Sequence, residues 1–199
     1  MEIKILQLTK QPYKMVWNIA KNCYNEILPK FNIQQSKEFI EKLSKNGHDS
    51  VFEHLICTIK ISECSRSFMA QLTRHRLCSF TIYSQHYADH SNFKYKELEN
   101  YGNTPKYTRR RYIEFMNKSK EMYLFLKNFG IPKHIAREIL PNATLTTINM
   151  TCNIRQLKHI ISLRITPNNC PEIIEFSKLI LLRMMEYLPE YFKKYTKYL

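Results

Sequence analysis

Glycine is nearly missing from this chain: 3 of 199 residues, at Gly47, Gly102 and Gly130, each isolated. Dinucleotide fingerprints and P-loops need clustered glycines so that backbone can approach phosphate. Neither can be built here, so any nucleotide or flavin phosphate must be gripped by side chains. Acidic residues are also scarce, with 17 Asp+Glu against 31 Lys+Arg and a formal net charge of +14. That balance points to anionic partners, either nucleic acid or small phosphorylated and carboxylated ligands. No apolar run approaches the roughly 18 residues of a membrane span. Met1-Glu2-Ile3-Lys4 does not read as a secretory signal, and none is expected. The 6 cysteines (Cys23, Cys57, Cys64, Cys78, Cys152, Cys170) form no C-x-x-C pair. They read as reduced thiols in a cytoplasmic protein, with no metal site expected.

What is present suits a globular chain: 44% hydrophobic and 24% charged residues, in a length that fills one sizeable core. A single domain over residues 1–199 is expected. Ser36 to Asn46 reads as a helix capped by Ser36 and stopped by Gly47, and Ser50-Val51-Phe52-Glu53 reads as a capping box. Leu55 to Ser62 alternates like a strand, Arg66 to Thr73 has helical spacing, and Ser79 to Tyr87 looks extended. A long helix is expected from Thr104-Pro105 to Asn128 with Gly130 as its stop, then a short one from Pro132 to Leu140. Thr144 to Thr151 reads as a strand; Asn153 to Arg164 and Pro171 to Tyr187 read as amphipathic helices. The class is α+β, in the sense of mixed helices and strands.

The densest polar stretch runs from Gln71 to Ser84 and contains Arg74-His75-Arg76. Such a cluster is a solvated basic turn unless anionic partners draw it together. Three other features have simple readings. His86 and His90 are four apart, but position 87 is Tyr, so the zincin glutamate is missing. Lys106 to Tyr112 interleaves basic and aromatic residues, as nucleic-acid binders do, yet on a long helix it forms a charged outer face. Cys78 sits among arginines and serines, and such a thiol is more often a small buried filler than a reactive group.

Arg74-His75-Arg76 followed after seven residues by Ser84 resembles the signature of the flavin-dependent thymidylate synthases, the ThyX family. Other blocks stand in the same order. Gly47-His48-Asp49-Ser50-Val51-Phe52-Glu53-His54 resembles an upstream segment, and Gln71 precedes Arg74 by three residues. Ala136-Arg137 with Leu140-Pro141, and Thr151-Cys152-Asn153-Ile154-Arg155 with Leu157, His159 and Leu163-Arg164, resemble two downstream blocks. Ala20 to Tyr24 is similar to an N-terminal element. The resemblance implies a central, mostly antiparallel sheet flanked by helices and a homotetramer with active sites shared between subunits. It implies FAD as cofactor, NADPH and methylenetetrahydrofolate as co-substrates, and methylation of dUMP to dTMP. Ser50, Arg74, His75, Arg76, Asn153, Arg155 and His159 would hold FAD, with His48 beside it. Gln71, Arg74, Ser84, Gln85, His86, Arg137 and Arg164 would hold the nucleotide, and Arg164 would stabilise negative charge on its uracil ring. Neither nucleic acid nor a membrane is an expected partner.

The chain departs from the family where the serine block usually runs Ser-x-Asn-Glu-x-Ser-x-Arg-Tyr. Thr81, Ile82 and His86 replace the Asn, the Glu and the Arg, and Asn169-Cys170-Pro171-Glu172 replaces a usual Ala-Gln-x-Glu run. Ile82 cannot accept a hydrogen bond, and a histidine is a weaker phosphate donor than an arginine. The cofactor half of the pattern is therefore fuller than the nucleotide half. The departures motivate a second reading, a flavin-binding paralogue acting on another pyrimidine nucleotide. A third, a non-catalytic nucleic-acid binder, rests on the charge and on Arg109 to Arg111, and does not need the collinear blocks.

Overall fold

The computed structural model describes residues 1–23, 29–98 and 104–199. In chain order the elements are β1 (Glu2–Leu8), α1 (Pro12–Cys23), α2 (Ile33–Lys45), a 3-10 turn (Ser50–His54), β2 (Ile56–Ser65), α3 (Arg66–Leu72) and β3 (Ser79–Ile82). There follow α4 (Lys106–Asn128), α5 (Lys133–Ala136), a 3-10 turn (Arg137–Ile139), β4 (Leu145–Asn153), α6 (Ile154–Arg164), α7 (Pro171–Tyr187), α8 (Pro189–Phe192) and a last 3-10 turn (Lys193–Tyr198). The strands form one antiparallel sheet in the order β1-β2-β4-β3. The register of the central pair is fixed at both ends. The Thr58 and Thr151 hydroxyls lie 3.1 Å apart, and the Cys64 thiol donates to the Thr146 carbonyl at 3.3 Å. Cys57, Ile59 and Ile61 on β2, and Ile148 and Met150 on β4, are fully buried, as period-two alternation requires.

Several elements differ from the sequence expectation for local reasons. α2 starts before Ser36 because Asn32 is its cap, accepting from the Gln35 N–H at 3.1 Å. Ser36 lies inside the helix, buried, and donates to the Tyr13 carbonyl. No capping box forms at Ser50: Asp49 occupies the cap position without a side-chain cap bond, and Glu53 turns to Arg155 instead. β2 runs on to Ser65, whose hydroxyl then caps α3 by accepting from the Phe68 N–H at 3.0 Å. The extended stretch after Ser79 ends at Ile82, because the Ser84 hydroxyl accepts from the His86 and Tyr87 N–H groups and folds the chain into a turn. The Pro132–Leu140 helix is two pieces, α5 and a 3-10 turn. β1 and α1, not singled out by periodicity, are additional elements. Gly130 does stop α4: it takes φ +78° while the Ile131 N–H reaches back to the Leu126 carbonyl. Gly102 and Tyr24 lie outside the described residues.

The tertiary contacts group the chain into two compact units. The first comprises Met1–Glu2, Ile61–Arg74 and Thr81–Ile148. In it α4 packs on α5 and the following 3-10 turn, with Met116, Ser119 and Tyr123 buried and the Ser119 hydroxyl donating to the Ile139 carbonyl. The second comprises Ile3–Lys60, His75–Phe80 and Asn149–Leu199. Here α1 packs on α2, α2 on α8, and α6 on α7 and on the Ser50–His54 turn. Phe52 stacks on Tyr191 at 3.7 Å, in a core that includes Val16, Ile40, Leu157 and Phe176.

Candidate active site

In the second unit the site is built on α6. Asn153 ends β4 and caps α6, its side-chain oxygen accepting from the Gln156 N–H at 2.8 Å. Arg155 and His159 follow on one face, four residues apart. They line a cavity of about 510 Å³ together with Asn153, Lys158, Lys194 and Tyr195. Arg155 forms an ion pair with Glu53, both groups about half exposed. Lys158 is 5% exposed, lies 2.8 Å from the Asp49 carboxylate and sits 3.9 Å over the Tyr191 ring. The Tyr191 hydroxyl donates to the same Asp49 oxygen at 2.8 Å. Burial pushes the Lys158 ammonium down in pKa against the pull of Asp49.

The last turn of α6 carries Arg164. Its Nε donates to His75 Nε2 at 3.1 Å and a terminal nitrogen to the Asn169 side-chain oxygen at 3.4 Å. His75 is buried, while Arg76 beside it is exposed. Burial, then the Arg164 charge and His159, lower the His75 pKa to about 4. The His159 ring meets His75 edge-on at 6.3 Å. His48 and Ser50 are exposed; the His48 N–H closes α2 by donating to the Leu43 carbonyl. Of the residues expected around FAD, the cavity lining brings together Asn153, Arg155 and His159, and does not include His48, Ser50, His75 or Arg76. Arg74 belongs to the first unit.

The first unit also holds Gln71, Ser84, Gln85, His86 and Arg137, whereas Arg164 belongs to the second. Gln71 closes α3, its carbonyl accepting from the Arg74 N–H, and the Arg74 side chain is exposed. Gln85 is buried and its amide nitrogen has no hydrogen-bond partner. His86 stacks on His134, ring centroids 5.0 Å apart. His90 turns elsewhere, to the Ser84 carbonyl at 3.4 Å and the Tyr83 ring, and burial lowers its pKa. The Arg137 Nε donates to the His134 carbonyl at 3.0 Å, so a guanidinium and two imidazoles share one neighbourhood. Burial and the nearby Arg137 lower the Arg66 pKa.

The model of the family described as thymidylate synthase complementing protein matches residues 4–190 of the chain. The chain belongs to that family. A flavin-dependent thymidylate synthase of Geobacter sulfurreducens is 33% identical, the match covering 82% of this chain and 73% of the relative. One from Clostridium tetani is 29% identical over 96% of this chain and 85% of the relative. One from Haloarcula marismortui is 27% identical over 99% and 96% respectively.

Sequence reasoning missed Asp49, Lys158 and Lys194 at the cavity, Asn169 behind Arg164, and Arg66 beside Arg137. Arg66 carried a signal: a cation at the first position of α3 opposes the helix dipole, which favours an anion there. Lys158 carried none, because a lysine between the apolar Leu157 and the exposed His159 reads as a surface residue. Arg110 and Arg111 pair with Glu114 on the exposed side of α4, which is the charged outer face.

Proposed function

We propose that the chain is a flavin-dependent thymidylate synthase that methylates dUMP to dTMP. Methylenetetrahydrofolate gives the carbon, and NADPH gives the reducing equivalents through FAD. The observation that carries this reading is the α6 cavity, where Arg155, Lys158, His159 and Lys194 converge with Asn153. That donor set fits a cofactor with a diphosphate, held by side chains in a protein with no glycine loop. When bound there, FAD supplies the hydride that completes the methyl group. Arg155 can turn from Glu53 to phosphate at small cost, since an exposed ion pair contributes only about 0–1 kcal/mol. Arg164 presents its free N–H groups to the uracil and stabilises negative charge on the ring, so that C5 can attack without a covalent enzyme adduct. In a tetramer whose active sites are shared between subunits, Arg137 with His86 and His134 would grip the nucleotide phosphate. Gln85 offers a buried donor that a ligand oxygen would satisfy, and such orphan groups are rare without a reason.

A homotetramer is supported by an apolar stripe along α4 and its C-cap: Phe115, Met122, Phe125 and Phe129 are 48–73% exposed. Among the described residues no helix is long and apolar enough to cross a membrane. Six free thiols suit the cytoplasm. The second reading, a paralogue with another pyrimidine nucleotide as substrate, draws on Thr81, Ile82 and His86, all at the end of β3 and its turn.

The test is nucleotide-dependent oxidation of the reduced flavin with product analysis, comparing dUMP, UMP and dCMP. Turnover with dUMP alone supports the proposal, turnover with another nucleotide supports the paralogue, and a protein that takes up no FAD overturns both. Arg164→Ala should keep flavin and lose about 10²–10³ in rate.

A further inference from the structure

The sequence Arg74-His75-Arg76 looks like three equivalent ligand-binding groups, but their environments differ. Arg74 and Arg76 are exposed, and His75 is 6% exposed with its Nε2 committed to Arg164 at 3.1 Å. We infer that His75 is a positioning residue for Arg164, holding its guanidinium in one plane through a neutral acceptor. The inference rests on the role of Arg164 proposed above.

The geometry carries it in three steps. First, Nε2 accepts, so the ring proton is on Nδ1 and the ring is neutral. Second, a planar guanidinium anchored at two nitrogens cannot rotate, and the other anchor is itself fixed. Asn169 accepts from Arg164 and donates its amide to the Leu163 carbonyl at 2.9 Å and the Thr166 hydroxyl at 2.9 Å. Two of five N–H donors are thereby used and three remain for a ligand. Third, both anchors are uncharged. A carboxylate would grip Arg164 more strongly but would cancel the charge it presents, as Glu53 does for Arg155. Separately, burial together with Arg164 and His159 holds His75 near pKa 4, so the acceptor persists at neutral pH.

The experiment uses the flavin-loaded protein and two amide variants that differ in reach. Glutamine can place its oxygen near the Nε2 position; asparagine cannot. Steady-state kcat and KM for dUMP are measured with flavin content, in wild-type and Arg164→Ala backgrounds. His75→Gln should keep a kcat well above that of His75→Asn, because its oxygen still reaches the Arg164 Nε. His75→Asn should lose about ten- to a hundredfold in kcat, with KM changed less and flavin retained. In the Arg164→Ala background the two should be indistinguishable. Equal activity of the Gln and Asn variants overturns the inference, as does a Gln–Asn difference that persists without Arg164. Loss of flavin from His75→Asn alone also overturns it, in favour of cofactor ligation. Should neither variant fold, Asn169→Ala decides: a severalfold fall in kcat is expected, and an unchanged value overturns the inference. Full activity of Arg164→Ala itself would instead remove the functional reading on which this rests.

Discussion

A histidine with its pKa pushed to about 4 makes stability depend on pH. Its ordinary value is near 6.5, so between those two values the unfolded chain binds the proton and the folded chain does not. The His75 contribution is therefore fully present above pH 6.5 and is lost as pH falls toward 4. Its size is on the order of 3 kcal/mol. Urea melts across that range should show wild type losing stability relative to His75→Gln as pH falls, because glutamine has no proton to gain. The buried His90 is shifted in the same direction but is common to both proteins. A second residue-scale test concerns Asp49. Asp49→Ala leaves Lys158 buried without its carboxylate and should destabilise by about 3 kcal/mol, whereas Lys158→Met should cost less. On the nucleotide side, His86→Arg should tighten dUMP binding at neutral pH in calorimetric titration, since guanidinium stays charged and reaches two phosphate oxygens. Weaker binding would place His86 outside the phosphate grip.

At the scale of elements, α6 combines a structural cap with proposed ligand contacts in its first turn. The Asn153 oxygen is committed to the Gln156 N–H, which leaves its amide nitrogen for the cofactor. Asn153→Asp should keep the cap and the stability yet weaken flavin, because it swaps a donor for a negative charge. Asn153→Ala should weaken flavin and also cost about 1 kcal/mol in chemical denaturation. If both variants bind FAD as wild type does, Asn153 serves only the helix. α6, α7 and α4 were legible in the sequence because their caps and stops are local. The start of α2 was not: Ser36 is a good cap residue, but burial against Tyr13 places it inside the helix and Asn32 takes the cap. The end of β3 was also hidden, since one hydroxyl, that of Ser84, decides where the extended chain turns.

At the scale of the whole molecule, the proposed tetramer would assemble through the apolar stripe along α4. Phe125→Lys should shift a tetramer toward smaller species in sedimentation equilibrium, by placing a charge where an apolar face must be dry. A tetramer that survives Phe125→Lys together with Phe129→Glu would move the interface elsewhere.

The sequence by itself determined the chemistry available to this protein. With three isolated glycines no backbone phosphate loop can be built, and the surplus of basic residues offers side chains in its place. The ordered blocks from Gly47 to Arg164 marked the family, and the alternation in β2 and β4 marked the sheet. Only the tertiary structure decided which of those side chains line a cavity and which hold another side chain. His75 and Arg164 are 89 residues apart, as are no two groups that local pattern can relate, yet they share one hydrogen bond. Lys158 and Asp49, separated by 109 residues, share one in the same way. Hydrogen-bond partners and burial are set by which elements pack together, and residue spacing along a chain carries no record of that once it exceeds a helix or a hairpin.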